Sequence, residues 1–323
     1  MRGWLLRRGA DGLFTALLAA VALVALVHAL PGDPLAAVLG ERTATPEQLS
    51  ALAARWGTDQ PLLTRLSRYF VALAHGDLGF SMTRGVPVGA VLLERLWPTV
   101  LLGSLTLLID FTLGLALGLW AALHPATWRA RLLGAFTIIG YAVPSFVAGM
   151  VLIWLFGIRL GWLPVAGRSD VLLKMDASAW EIFIDRLRHL ILPLTTMVIA
   201  TIAVPIRQQR AAVQGVMAAP WVRAARARGV SPARVAWRHC WRPALTPIVT
   251  LFGLWLPMLV AGAVFIEGLF AWPGLGALIA EATAAHDVPL VVGAGLLLVA
   301  AVQIGSLLAD LLYRVVDPVQ RDQ

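Results

Sequence analysis

The stretch Trp221-Val222-Arg223-Ala224-Ala225-Arg226-Ala227-Arg228-Gly229-Val230-Ser231-Pro232-Ala233-Arg234 carries four arginines and no acid, in a chain that is 59% apolar and 14% charged. Its punctuation is that of helices. Pro220, just before it, suits a first helical turn, where a missing N–H costs nothing, and Gly229 suits the left-handed residue that ends a helix. Ser231 then offers an N-cap with Pro232 at the next first position, so a second short helix is expected at once. The two arms form an elbow whose first arm sets Ala224, Ala225 and Ala227 among Arg223, Arg226 and Arg228.

What surrounds the elbow bears on its use. A 323-residue chain with so few charges cannot hide its apolar side chains in a water-soluble interior, so lipid is its solvent and the expected class is an all-α integral membrane protein. Six segments reach the roughly 20 residues that a hydrocarbon layer demands, near 12–30, 99–123, 132–158, 190–206, 245–270 and 288–313. The first follows Arg2, Arg7 and Arg8 and ends in a faintly cleavage-like Val27-His28-Ala29. Its apolar run exceeds the about 7–15 residues of a signal peptide, so it is read as an anchor. A net charge of +8 would suggest nucleic acid in a soluble protein, but arginines placed between apolar runs serve topology, and no nucleic-acid partner is expected. The single cysteine, Cys240, excludes an intrachain disulfide.

With the N-terminus in the cytoplasm, that side carries 15 of the 26 lysines and arginines, eight of them in the loop 207–244 that holds the elbow. The other 11 sit in two long connections that the positive-inside rule barely constrains, and the short outer loop 271–287 has none. Both termini are therefore expected to be cytoplasmic. The chain divides into a leader and first span (1–30), an external region (31–98), a transmembrane core (99–313) that includes the loop 207–244, and a cytoplasmic tail (314–323).

Residue physics alone leaves the elbow two uses. A basic interfacial helix can simply hold anionic lipid, at about 1 kcal/mol per arginine near the surface, or it can dock into another protein. The wider pattern adds to this. Val222 to Gly229, followed by Arg238-His239-Cys240-Trp241-Arg242-Pro243-Ala244-Leu245, resembles the cytoplasmic coupling loop of ATP-binding-cassette importer permeases, in the branch serving dipeptides, oligopeptides and nickel. The likeness continues through Pro31-Gly32-Asp33-Pro34, Gly76-Asp77-Leu78-Gly79, Pro144-Ser145-Phe146, Gly161-Trp162-Leu163-Pro164, His189-Leu190-Ile191-Leu192-Pro193, Pro273-Gly274-Leu275-Gly276 and Asp317-Pro318.

The resemblance implies a type I, MetI-like permease fold in a bacterial cytoplasmic membrane, forming half of a pathway for peptides or a related small solute (nickel, opine-like or glutathione-like). It implies a second homologous permease, as a heterodimer, two cytoplasmic ATPases that bind ATP and Mg, and an extracytoplasmic solute-binding protein. It assigns ATPase coupling to Val222, Arg223, Ala224, Ala225, Arg226, Arg228 and Gly229. Ala224, Ala225 and Gly229 would form the inserted surface, with Arg223, Arg226 and Arg228 docking around it. One departure is plain: the best-known form of the loop has glutamate before two alanines, and here Arg223 precedes Ala224.

The residues also argue against chemistry in this chain. Lys174 is the single lysine and leucine precedes it, so no phosphate loop ending in Gly-Lys-Ser or Gly-Lys-Thr exists. No His-Glu-x-x-His run or Cys/His cluster has metal-ligand spacing. No catalytic, cofactor or metal site is expected here.

Outside the membrane, Thr45-Pro46-Glu47-Gln48 reads as a capping box, followed at helical spacing by Leu49, Leu52, Ala53 and Trp56. A second amphipathic helix is expected from Pro61 through Leu66 and Phe70 to Gly76. These stripes fit a small core laid on the membrane; the resemblance adds contact with the binding protein. Inside the membrane, Asp110 stands near the middle of span 2, where a carboxylate costs about 2.5–3.5 kcal/mol. Gly103, Asp110, Gly114 and Gly118 share one helix face, with Gly114 and Gly118 as a Gly-x-x-x-Gly pair. Asp110 is either a pathway carboxylate for a cationic part of the solute or a buried polar contact. Glu267, before Pro273-Gly274-Leu275-Gly276, is either a gate or binding-protein contact or an interfacial charge. Pro144, Pro193, Pro205 and Pro257 favour broken helices that line water or protein. An ion-driven secondary transporter, or a membrane scaffold that recruits a cytoplasmic partner, is the alternative function.

Overall fold

The computed structural model describes residues 2–29, 47, 50, 60, 62–170, 177–231 and 234–316. Its helices are α1 (Arg2–Ala29), α2 (Leu62–Ala74), α3 (Val88–Leu123), α4 (Trp128–Ala142), α5 (Ser145–Leu152), α6 (Ala179–Thr201), α7 (Ala203–Met217), α8 (Pro220–Ala227), α9 (Thr246–Leu269), α10 (Leu275–Ala284) and α11 (Val288–Val316). The six expected segments lie mostly on helix, with 132–158 interrupted at 143–144 and Leu30 outside the described residues. Among the described residues, three helices are long and apolar enough to cross a membrane, Val88–Leu123, Ala179–Met217 and Val288–Leu312. A fourth candidate is the pair α4 and Ser145–Arg159, bent by 104°. The break is at Pro144: Val143 before it is extended, at φ −78° and ψ 123°, because a proline ring crowds the helical conformation of its predecessor.

The chain divides into two compact units. The first comprises 1–99 and 273–303. Its core sets Val88, Val91 and Leu92 of α3 against Leu275, Leu278 and Ala282 of α10 and Leu290, Val291 and Ala294 of α11. Phe70 of the expected amphipathic α2 packs with Ala20 and Val292. That helix stops where foreseen, at Gly76, with φ +77°. The expected capping box at Thr45, Pro46 and Gln48 lies outside the described residues. Gly79 closes a turn by donating its N–H to Asp77 at 2.8 Å.

Two polar clips hold this unit. The Leu275 N–H, at the start of α10, donates to the Thr99 hydroxyl at 2.7 Å, which serves a helix end whose own N-cap, Gly274, has no side chain. Asp287 is the N-cap of α11, accepting from the Leu290 N–H at 3.3 Å, and its other oxygen receives the Ser81 hydroxyl, the Thr83 N–H and the Thr83 hydroxyl at 2.5, 3.0 and 2.8 Å. Arg84 and Glu281 add an exposed ion pair at 2.8 Å.

The second unit comprises 100–272 and 304–323. Its core joins Leu102 and Leu107 to Leu190, Leu192 and Met197, and to Trp255, Ala263, Ile266, Phe270 and Trp272. Phe111 meets Phe252 and Trp255 edge to face, with ring centres 5.2 and 6.0 Å apart. After α5 the chain winds as a π-helix over Ile153–Arg159, and Gly161 turns it back at φ +63°. The Gly161-Trp162-Leu163-Pro164 loop is tied down where Arg188 donates to the Trp162 carbonyl at 2.9 Å.

Candidate functional site: the basic elbow and the packed groove behind it

The first arm of the elbow is α8. Pro220 stands in its first turn and Gly229 ends it at φ +80°. The Gly229 N–H donates to the Arg226 carbonyl at 2.9 Å and the Val230 N–H to the Ala225 carbonyl at 3.2 Å, the paired bonds of a Schellman stop. The second arm begins with the Val235 N–H on the Ser231 carbonyl at 2.9 Å; Pro232 and Ala233 lie outside the described residues. It is wound as a π-helix, Val235–Trp241, and runs through Arg242–Ala244 toward α9.

Burial sorts the seven coupling residues into two sets. Val222 and Ala225 are 0% and 1% exposed. Val222 packs into a cluster with Leu119 and Ala122 of α3, Val213 of α7, and Val235, Cys240 and Ala244. Arg223, Ala224, Arg226, Arg228 and Gly229 remain exposed, as does Ala227. The expectation that Ala225 belongs to an inserted surface is corrected: it faces its own chain, because a helix this short is held only by burying one stripe against a neighbour. The outward face is Ala224, Ala227 and Gly229, with the arginines around them. Burial also pushes the Cys240 thiol above its ordinary range, against a smaller opposing effect of the Arg226 charge.

The arm is thus fastened to the ends of α3 and α7, and these two helices are themselves closely packed. A Cβ on Gly118 would lie 2.6 Å from the Ile206 carbonyl oxygen and 2.8 Å from Gln209 Cβ; one on Gly114 would lie 3.3 Å from Pro205. The expected glycine face is therefore a real groove at these two positions. Gly103 is not part of it, having nothing within 4 Å.

Asp110, on the same helix, is fully buried, and neither carboxylate oxygen has a hydrogen-bond partner among the described residues. Thr201 lies beside it, but its hydroxyl donates to the Met197 carbonyl at 2.7 Å. Gln209 is buried in the same condition, with both amide atoms unpartnered. Sequence reading passed over Gln209. The available signal was its place four residues after Pro205, on the α7 stripe that also buries Val213. Glu267 is fully buried in the last turn of α9, whose Ile266 and Phe270 are buried too, and its carbonyl accepts the Trp272 N–H at 2.8 Å. It is not an exposed interfacial charge.

The described residues thus form a mostly helical protein with membrane-spanning candidates and a basic arm packed against its own helices. Residues 114–322 match the family described as binding-protein-dependent transport system inner membrane component, and the chain belongs to it, as a permease of the peptide-type ATP-binding-cassette importers. It is 36% identical over 311 residues, 93% of both chains, to the di/tripeptide transport system permease protein DppB of Pseudomonas aeruginosa (strain UCBPP-PA14). The dipeptide permease DppB of Escherichia coli (strain K12) is 34% identical over 91% of both chains, and the glutathione permease GsiC of Salmonella paratyphi A is 32% identical over 99% of both. Among solved structures, an inward-facing form of the MetNI methionine ABC transporter superposes with a TM-score of 0.51 at 19% identity, covering 70% of this chain and 96% of that one, which supports the MetI-like fold.

Proposed function

We propose that this chain forms half of the pathway of an importer for short peptides or a closely related solute, driven through α8 by separate ATPases. The carrying observation is the division of α8: Val222 packs the arm against α3 and α7 and Ala225 is buried, while Arg223, Ala224, Arg226, Arg228 and Gly229 stay exposed to a cytoplasmic partner. Movement of the arm then moves helices packed backbone to backbone at Gly118. The solute class follows the dipeptide, tripeptide and glutathione permeases that the chain resembles along nearly its whole length. ATP and Mg belong to the two ATPases, and this chain hydrolyses nothing. Six spans, cytoplasmic termini, a heterologous second permease and an extracytoplasmic binding protein complete the proposed assembly, set in a bacterial cytoplasmic membrane. Asp110 is its buried pathway carboxylate, and Glu267 a buried gate element.

Reconstitution tests this. Uptake of a labelled dipeptide into vesicles should require the partner permease, both ATPases, the binding protein and ATP. Uptake driven by an ion gradient without ATPases would overturn the proposal. Arg226→Glu should uncouple ATP hydrolysis from uptake while leaving the thermal unfolding of the chain unchanged.

A further inference from the structure

Helix α4 runs antiparallel to the α6 and α7 pair. A Cβ on Gly140 would lie 3.2 Å from the Ile199 carbonyl oxygen, and one on Gly134 would lie 3.8 Å from Arg210 Nη1. Between these helices opens a cleft of about 240 Å³, with Gly134, Thr137 and Ile138 on one wall and Arg207, Arg210 and Gln214 on the other. Two guanidinium groups share this cleft. Among the described residues neither forms an ion pair. The Thr137 hydroxyl donates to the Gly134 carbonyl at 2.8 Å and, being neutral, brings no charge that would balance the guanidinium groups.

The outer lip is apolar. Ile138 and Ile139 are exposed, as are Phe136 and Leu132 on the same helix. At the start of α4 stands the exposed Trp128, with Arg129 5.6 Å from its ring centre, a pairing common at membrane interfaces. Gly134 lies six positions further, about 9 Å along the helix. Two cations without an ion pair beside an apolar lip suit an anion that carries its own apolar chain. A free polar anion would leave the apolar lip bare; a zwitterionic headgroup would bring its own cation.

We infer that the α4–α7 cleft binds the phosphate group of an anionic phospholipid, held by Arg207 and Arg210 with its glycerol and chains along Ile138. Guanidinium pairs suit phosphate because their planar donors meet its oxygens two at a time, and basic pockets between spanning helices are where such headgroups bind. The site adjoins the helix that carries the elbow, so leaflet composition would bear on the elbow's support. The inference needs the chain to span a membrane, but not any particular solute.

A photoactivatable phosphatidylglycerol, with the intact importer in nanodiscs, tests it. Cross-links mapped by mass spectrometry should fall on 134–138 and 207–214. Arg207→Gln and Arg210→Gln should each reduce them roughly fivefold, and the double lysine variant should keep most of the capture. Equal capture of a phosphatidylcholine probe, or capture unaffected by the glutamine variants, would overturn the inference. So would displacement by inorganic phosphate, which would assign the cleft to a soluble anion. So would labelling of the isolated chain but not of the importer, which would give the cleft to a partner subunit.

Discussion

Asp287 and Asp110 are both fully buried, and their surroundings treat them in opposite ways. Asp287, in the first unit, receives four donors from Ser81, Thr83 and Leu290, and it caps α11. Asp110, in the second unit, receives none among the described residues. A carboxylate that accepts several hydrogen bonds repays its desolvation and ties a loop to a helix end. One left bare does neither; a solute, water, or a second arrangement of α3 against α6 and α7 would have to supply its partner.

The strongest way to break this comparison is Asp287→Ala. It strands four donors and should lower stability by about 3 kcal/mol, read as a fall in the thermal unfolding midpoint of detergent-purified protein. A midpoint shift no larger than that of Asp110→Ala would show that the two carboxylates are equivalent. Gly118→Ala comes next, at about 2 kcal/mol, since the new methyl meets backbone at Ile206 and not a movable side chain. Gly103→Ala is its control and should cost nothing measurable, because open space faces it. Asp110→Asn should leave unfolding within about 1 kcal/mol of wild type while dipeptide uptake falls roughly tenfold, the signature of a group kept for transport. Unchanged uptake would reduce Asp110 to a packing residue.

The smallest effects belong to the elbow. Gly229→Ala has room around it and should cost about 1 kcal/mol, the strain of a left-handed alanine alone. Because burial raises the Cys240 thiol, less of it is thiolate near pH 8 than in an exposed cysteine. Maleimide labelling of the native protein should therefore trail the denatured control by roughly tenfold or more, and equal rates would mean that the arm detaches readily.

Legibility in the sequence followed the range of the forces involved. The stop at Gly229, the start at Pro220 and the end of α2 at Gly76 were readable because each depends on one residue's own backbone preference. Of the four prolines expected to break helices, Pro144 does so, while Pro193, Pro205 and Pro257 lie inside continuous helices. The buried stripe of α8 was not readable, since it depends on neighbours such as Leu119 and Ala122, which pack with Val222 from far back in the chain. Gly103 looked like Gly114 and Gly118 by spacing, yet only the latter two meet α7. Gln209 offered only its spacing, four residues after Pro205 and four before Val213.

Composition, charge placement and helix punctuation thus determined by themselves that this is a helical membrane protein with a basic elbow. These properties arise from hydration and from torsions within a few residues. Tertiary packing alone decided that Asp287 is satisfied and Asp110 is bare. Hydrogen-bond partners are recruited across the fold, and Ser81 stands 206 positions from the carboxylate it serves.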